Sequence, residues 1–91
     1  GHHAHKCLEQ VLFCISGSFC IKLDDGENQY QYLMNNPNEG LFIGNNLWHT
    51  MQDFTNDCII IVLASDYYDE SDYIRDYKEF KNYLNNNHFE N

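Results

Sequence analysis

Positive charge is scarce in this sequence. Its 91 residues include five lysines and arginines against fourteen aspartates and glutamates, which gives a formal net charge of −9. The field of such a chain repels phosphate backbones and anionic membrane surfaces. The charge therefore argues against nucleic acid or a membrane as partner, and any phosphate group on a ligand requires a local cation.

Paired cysteine motifs and long apolar runs are also missing. Cys7, Cys14, Cys20 and Cys58 form no C-x-x-C pair, and most of them stand in apolar segments, where a thiol acts as a small hydrophobe. No run of about 18 apolar residues is present. We therefore predict neither a zinc knuckle nor a disulfide framework, and a reducing cytoplasm as the compartment.

Short strands dominate what is present. Hydrophobic residues make up 43% of the chain, and turn residues separate six apolar segments, which we predict to be strands at 8–15, 19–23, 28–33, 41–43, 47–54 and 58–64. The nearly continuous apolar run at 8–15 predicts a strand covered on both faces. The close spacing of the segments favours an antiparallel sandwich or barrel.

The pattern changes near the C-terminus. Tyr73, Tyr77, Phe80 and Leu84 recur at helical spacing behind the acidic residues 69–72, which suit a helix cap and first turn. We predict one helix at about 71–85, a tail at 86–91, and a single domain over 1–91. The abrupt start at Gly1 leads us to expect further strands upstream.

Histidines supply the candidate chemistry. His3 and His5 are two residues apart, which in a strand places both imidazoles on the same face. His49 is a third candidate on another predicted strand. Such a group serves either proton transfer or metal binding, and the spacing does not choose between them.

The same residues resemble the motifs of cupins. His3, His5, Gln10 and the distant His49 are similar to the cupin pattern of His-x-His, an acidic residue and a further histidine. The resemblance implies an all-β cupin fold, a jelly-roll antiparallel β-barrel, here with one C-terminal α-helix. Gln10 stands where the acidic ligand would be, and a neutral amide oxygen is a weaker metal ligand, so no metal or other cofactor is expected.

A more specific resemblance is to the sugar 3,4-ketoisomerases. It is carried by residues 1–6, 15–18, 24–26, Trp48-His49 and the long segment 64–77. It implies a bacterial enzyme of deoxysugar biosynthesis, which serves either surface polysaccharides such as lipopolysaccharide or antibiotics. Such an enzyme is a homodimer that moves the keto group of dTDP-4-keto-6-deoxyglucose from C4 to C3.

The reaction requires proton transfers through an enediolate, and imidazole, with an ordinary pKa of about 6.5, can both accept and donate. His3 and His5 are therefore the predicted catalytic residues. The candidates for substrate binding are His49, Gln10, Trp48 and Lys6. The N-terminal strands of the family, which supply a tyrosine and an arginine, have no counterpart in this sequence, so we expect an incomplete diphosphate site.

Three alternatives stay open at this stage. The first is a metal-dependent cupin enzyme with His3, His5 and His49 as ligands. The second is a non-catalytic sugar-binding cupin. The third, a sugar-nucleotide 3,5-epimerase, fits less well because segment 64–77 does not resemble that family.

Overall fold

Two antiparallel sheets and one helix form the molecule. The computed structural model describes residues 2–88, and its elements are β1 His2–His5, β2 Gln10–Ser16, β3 Phe19–Asp24, β4 Gln29–Met34, β5 Gly40–Ile43, β6 Trp48–Gln52, β7 Ile59–Ala64, a 3₁₀ helix Glu70–Asp72, β8 Tyr73–Ile74 and α1 Tyr77–His88. The larger sheet has the order β4-β3-β6-β1-β8, and the smaller sheet has the order β5-β2-β7. The predicted all-β fold with one C-terminal helix is confirmed.

The larger sheet buries apolar side chains on both faces. One face meets the smaller sheet in a core that includes Leu12, Phe19 and Ile21. Ala4 and Ile74 form a second buried cluster with Phe80 of α1. Because successive side chains of a strand point to opposite faces, β1 turns Ala4 toward the helix and turns His3 and His5 toward the other face.

The six predicted strands are confirmed to within two residues at each end. Their turn chemistry also holds at the β3–β4 hairpin, where Gly26 has φ +98° and its N–H donates to Asp24 Oδ1 at 2.7 Å. Glycine tolerates this left-handed backbone without the Cβ clash that other residues meet. The hairpin therefore follows from the local sequence alone.

The predicted helix at 71–85 is wrong in its first turns. Residues Glu70–Asp72 form a 3₁₀ turn capped by Asp69, and Tyr73–Ile74 form β8, so α1 begins only at Tyr77. Tyr73 pairs with His5, and Ile74 pairs with Ala4 across the edge of the larger sheet. This long-range pairing outweighs the local helical spacing. The predicted tail is helical to His88, and residues 89–91 lie outside the described residues.

The prediction that segment 8–15 is covered on both faces is also wrong. Inward side chains such as Leu12 are buried, but on the opposite face Val11 and Phe13 are only half-buried and their neighbours on the flanking strands are exposed. The strand register aligns its apolar side chains in rows across the three strands. We call this the outer face, and it comprises Val11, Phe13, Phe42, Ile61 and Leu63.

Hydrogen bonds connect α1 to the β3–β4 hairpin. The Tyr77 hydroxyl donates to Asp24 Oδ2 at 2.7 Å, and Gln29 Nε2 donates to the same oxygen at 3.2 Å. Lys81 Nζ donates to the carbonyl of Gly26 at 2.7 Å. The hydrogen bond to the buried Asp24 carboxylate raises the pKa of Tyr77. The helix therefore holds a buried carboxylate as well as apolar side chains.

Tyr77→Phe tests this contact. Loss of the hydroxyl leaves a buried carboxylate with one donor fewer, which we expect to lower the free energy of unfolding by about 1 to 3 kcal/mol. The measurement is the urea midpoint followed by circular dichroism. Tyr67→Phe is the matched control because Tyr67 is 91% exposed. Equal midpoints for the two variants would contradict a stabilising role for the Tyr77 hydroxyl.

Candidate active site

Three histidines converge between β1 and β6. His3 and His49 are direct partners in the antiparallel register, and their Nε2 atoms are 2.9 Å apart, so one nitrogen donates to the other. His5 lies on the same face as His3, with ring centroids 5.0 Å apart. His5 and His49 are 2% and 1% exposed. The same-face arrangement predicted for His3 and His5 is present.

Tyr73 joins this group from β8. Its ring centroid is 4.3 Å from that of His5 and 5.1 Å from that of His3. The pairing of Tyr73 with His5 across β1 and β8 sets this position. The aromatic ring thus limits the space beside both imidazoles.

Asp72 lies next to His5. Its Oδ2 atom is 3.5 Å from His5 Nδ1, longer than an ideal hydrogen bond, and neither ring nitrogen of His5 has a partner in hydrogen-bond geometry. The carboxylate also accepts from the backbone N–H groups of Cys7 at 2.8 Å and Leu8 at 3.1 Å. Asp72 therefore connects a buried imidazole to the segment that follows β1.

A charged pair stands beside the histidines. Arg75 donates from Nε and Nη2 to the two carboxylate oxygens of Glu70, each at 2.9 Å, and its guanidinium lies 4.5 Å from the Tyr73 ring centroid. The Tyr68 hydroxyl also donates to Glu70. These hydrogen bonds lower the pKa of Glu70 to about 2, with the bond from Arg75 the largest cause. The arginine is thus engaged with a neighbouring carboxylate.

All three imidazoles are held neutral near pH 7. Burial is the main cause, and it lowers the pKa of His3 to about 4 and that of His49 to about 3, with further lowering by the neighbouring histidines. Burial also lowers the pKa of His5, against the opposing effect of Asp72. A neutral imidazole carries one N–H donor and one lone pair. The group can therefore take and return protons, or ligate a metal.

The other predicted site residues are placed differently. Trp48 adjoins His49 on β6 but packs against Tyr77 and Phe80 of α1, with ring centroids 5.4 and 5.9 Å away, so it is not brought together with the histidines. Gln10 lies on β2 in the smaller sheet, on the face that carries Leu12. Lys6 follows β1, with its ammonium 5.9 Å from the ring centroid of Tyr83.

Asp72 and Tyr73 are the neighbours that the sequence analysis missed. The sequence pattern places both in the predicted helix, Asp72 in its first turn and Tyr73 in its apolar stripe. Their position inside segment 64–77, the most specific part of the resemblance, was the available signal. Only the pairing of β8 with β1 brings them to the histidines.

The spacing of the three histidine nitrogens would also allow them to bind one metal ion. One nitrogen from each of His3, His5 and His49 lies within 4.8 Å of the others. Neutral imidazoles are the form that binds divalent metals. A metal at this point would, however, have to replace the hydrogen bond between His3 and His49.

Comparison with known proteins assigns the chain to a family. Residues 1–85 match the family described as "FdtA: WxcM-like, C-terminal". The chain belongs to this family. Among FdtA-like relatives, it is 54% identical over 84 residues to the TDP-4-oxo-6-deoxy-alpha-D-glucose-3,4-oxoisomerase of Aneurinibacillus thermoaerophilus, covering 92% of this chain and 60% of that protein.

Solved structures of 3,4-ketoisomerases are similar to this chain as well. The WlaRB TDP-quinovose 3,4-ketoisomerase of Campylobacter jejuni is 50% identical with a TM-score of 0.87, over 90% of this chain and 63% of that one. A histidine-to-asparagine mutant of QdtA from Thermoanaerobacterium thermosaccharolyticum, in complex with TDP-4-keto-6-deoxyglucose, is 43% identical with a TM-score of 0.89, over 92% and 61%. The resemblance to sugar 3,4-ketoisomerases is confirmed, and the chain spans about three fifths of these relatives' length.

No helix among the described residues is both long and apolar enough to cross a membrane.

The lowered histidine pKa values make stability depend on pH. Unfolded histidine titrates near pH 6.5, whereas the pKa values of folded His3 and His49 are about 4 and about 3. Between these values the unfolded chain binds more protons. The free energy of unfolding should therefore fall as the pH decreases from about 7 to about 5, by up to about 1.4 kcal/mol per pH unit for each histidine.

Urea denaturation at several pH values between these limits measures how steeply the free energy of unfolding changes with pH, which we call the slope. Carboxylates mostly stay ionised in this window, so the slope reports on the histidines. We expect His49→Gln to reduce the slope and the control His2→Gln, whose side chain is exposed at the start of β1, to leave it as in the wild type. If His49→Gln has the same slope as the wild type, His49 is not the source of the pH dependence of stability.

Proposed function

We propose that this chain carries the histidine site of a 3,4-ketoisomerase that moves the keto group of TDP-4-keto-6-deoxyglucose from C4 to C3. The observation that carries the proposal is the neutral group of His3, His5 and His49 on one sheet face, in which His5 and His49 are buried and His3 is half-buried. The identity of 54% to a TDP-sugar 3,4-oxoisomerase supports the same reaction. No oxidant or reductant is required, because one carbon is oxidised as its neighbour is reduced.

The reaction consists of proton transfers. A neutral imidazole takes the proton from C3, which is acidic beside the C4 carbonyl, and the electron pair forms an enediolate. Transfer of the O3 proton to O4 and return of a proton to C4 then give the 3-keto sugar, with O4 as a hydroxyl. Imidazole can both accept a proton as a base and donate it as an acid. His3 and His5 share these transfers in our proposal, one at carbon and the other at the oxygens.

His49 has a supporting role in this scheme. Its Nε2 contact with His3 Nε2 at 2.9 Å would let His3 exchange a proton without waiting for solvent. A hydrogen-bond donor held close to the substrate oxygens would also stabilise the enediolate. We therefore retain His49 as a substrate-binding candidate beside the catalytic pair.

Cations for the TDP diphosphate are few. Lys6 follows directly after β1 and borders a cleft with Ser65 and Asp72, so we propose it as one phosphate contact. Gln10 remains a candidate for hydrogen bonding from the smaller sheet. We propose no ligand contact for Trp48, because it packs under α1. A cytoplasmic location would give such an enzyme its nucleotide-sugar substrate.

Replacing the histidines tests the catalytic proposal. We expect His3→Asn and His5→Asn each to lower kcat by about a hundredfold or more, in line with general acid–base contributions. Product formation from TDP-4-keto-6-deoxyglucose is followed by NMR. His2→Asn is the matched control, since His2 is exposed on the same strand and bonds Thr50 instead. Near-normal turnover in either test variant would remove that histidine from the mechanism.

A metal-dependent reaction is the second candidate, favoured by the three histidine nitrogens within 4.8 Å. Metal analysis of the purified protein separates the two candidates. Stoichiometric metal whose removal by a chelator abolishes turnover would favour the metal-dependent enzyme. Binding of a TDP-sugar without any product would instead favour a non-catalytic cupin.

We also propose that the protein forms a homodimer through the outer face of the smaller sheet. Phe42, Val11 and Leu63 lie side by side in the register of β5, β2 and β7, and Phe13 lies beside Ile61 in the next row. Phe42, Ile61 and Leu63 are exposed. A contiguous exposed apolar face of this kind is typical of an interaction site. The outer face of a second copy is equally apolar, and we therefore propose that it covers the outer face of the first.

A charge on the outer face should break the dimer. We expect twice the monomer mass by light scattering at micromolar concentration for the wild type, and the monomer mass for Leu63→Asp. Leu33→Asp is the control, because Leu33 on β4 of the larger sheet is 59% exposed, close to the 58% of Leu63. A monomeric wild type, or equal masses for the two variants, would contradict a dimer formed through this face.

A further inference from the structure

The contact between His5 and Asp72 has no role in the reaction as described above. His5 is almost fully buried and Asp72 is 16% exposed on its side chain, with Oδ2 3.5 Å from Nδ1. His3, His49, Tyr73 and Arg75 also surround the imidazole. Among the described residues, Asp72 supplies the carboxylate that faces Nδ1 of the neutral His5 ring.

We propose that Asp72 is a positioning residue that holds His5 in the tautomer with its proton on Nδ1. An ionised carboxylate only accepts hydrogen bonds, so the ring nitrogen that faces it must carry the proton. The Nε2 lone pair of His5 is then free to act as a base. The catalytic consequence rests on the proposed ketoisomerase function, whereas the tautomer is a property of the protein alone.

Asp72 is itself held on several sides. Its carboxylate accepts from the N–H groups of Cys7 and Leu8, its carbonyl accepts from Lys6 N at 3.0 Å, and its own N–H donates to Asp69 O at 3.0 Å. The next residue, Tyr73, pairs with His5 in the sheet. Both sides of the His5–Asp72 contact are therefore fixed by the backbone around β1.

The contact is longer than an ideal hydrogen bond, yet the tautomer remains determined. The other tautomer would present a lone pair on Nδ1 to the negative oxygen, which is repulsive. A fixed carboxylate acts in the same way on the imidazole of a Ser-His-Asp triad, where the amide replacement stabilises the wrong tautomer and lowers kcat by about 10⁴-fold. We expect a smaller effect here because the contact is less direct.

Asp72→Asn tests the proposal. The amide oxygen can still accept from one backbone N–H, while the amide N–H₂ can face His5 as a donor, so Nδ1 should become the acceptor and Nε2 should carry the proton. Nitrogen-15 NMR of the imidazole distinguishes the two tautomers without substrate. We expect the wild type to have the Nδ1–H form and Asp72→Asn to have the Nε2–H form. In the kinetic assay, we expect kcat of Asp72→Asn to be about a hundredfold below that of the wild type, with KM changed only a few-fold.

Asp69→Asn is the matched control. It removes a carboxylate from the same turn, but its partner there is Ser71, and asparagine also caps helices well. We expect it to keep the wild-type tautomer and kcat. A general loosening of the turn would instead lower kcat in both variants.

Three results would overturn the proposal. The first is a wild-type His5 protonated on Nε2, which needs no variant and so holds even where Asp72→Asn does not fold. The second is an unchanged tautomer in Asp72→Asn. The third is a changed tautomer with unchanged kcat. Failure of the proposed function itself would be recognised separately, by His5→Asn retaining turnover.

Discussion

The antiparallel register of β1 between β6 and β8 is the constraint on which the rest of the site depends. It places His3 opposite His49 and His5 opposite Tyr73, and it turns Ala4 to the face that packs under α1. A slip of one residue would exchange the two faces. His2 and Ala4 would then enter the cavity, and His3 and His5 would meet the helix. The apolar cluster under α1 thus also fixes the chemistry on the opposite face.

Much of this arrangement follows from the sequence, because strand alternation is a local rule. The turn residues between the apolar segments predict six strands, and the His-x-His spacing predicts the same-face pair. The same alternation applies to Trp48 and His49, whose adjacent positions already imply opposite faces. The family resemblance predicts both Trp48 and His49 as substrate-binding residues, whereas the alternation of the strand places their side chains on opposite faces of the sheet.

What could not be predicted depends on contacts distant in sequence. Tyr73 and Ile74 have helical spacing with the residues that follow, and only β1, some seventy residues earlier, makes them a strand. Asp72 becomes a neighbour of His5 through the same pairing. The low pKa values of His3 and His49 likewise arise from burial by the assembled sheets. Tertiary contacts decide these features where local preference is weak.

The attachment of α1 at both ends of the larger sheet has a further consequence. The helix follows directly from β8 at one edge, and Tyr77 and Lys81 bond it to the β3–β4 hairpin at the other. It thereby spans the strands that carry the histidines. Partial opening of a protein proceeds in cooperative units rather than strand by strand. Because α1 continues from β8 and packs on β1, we expect these three elements to open as one unit, so that release of the helix and loss of the histidine cavity are a single event.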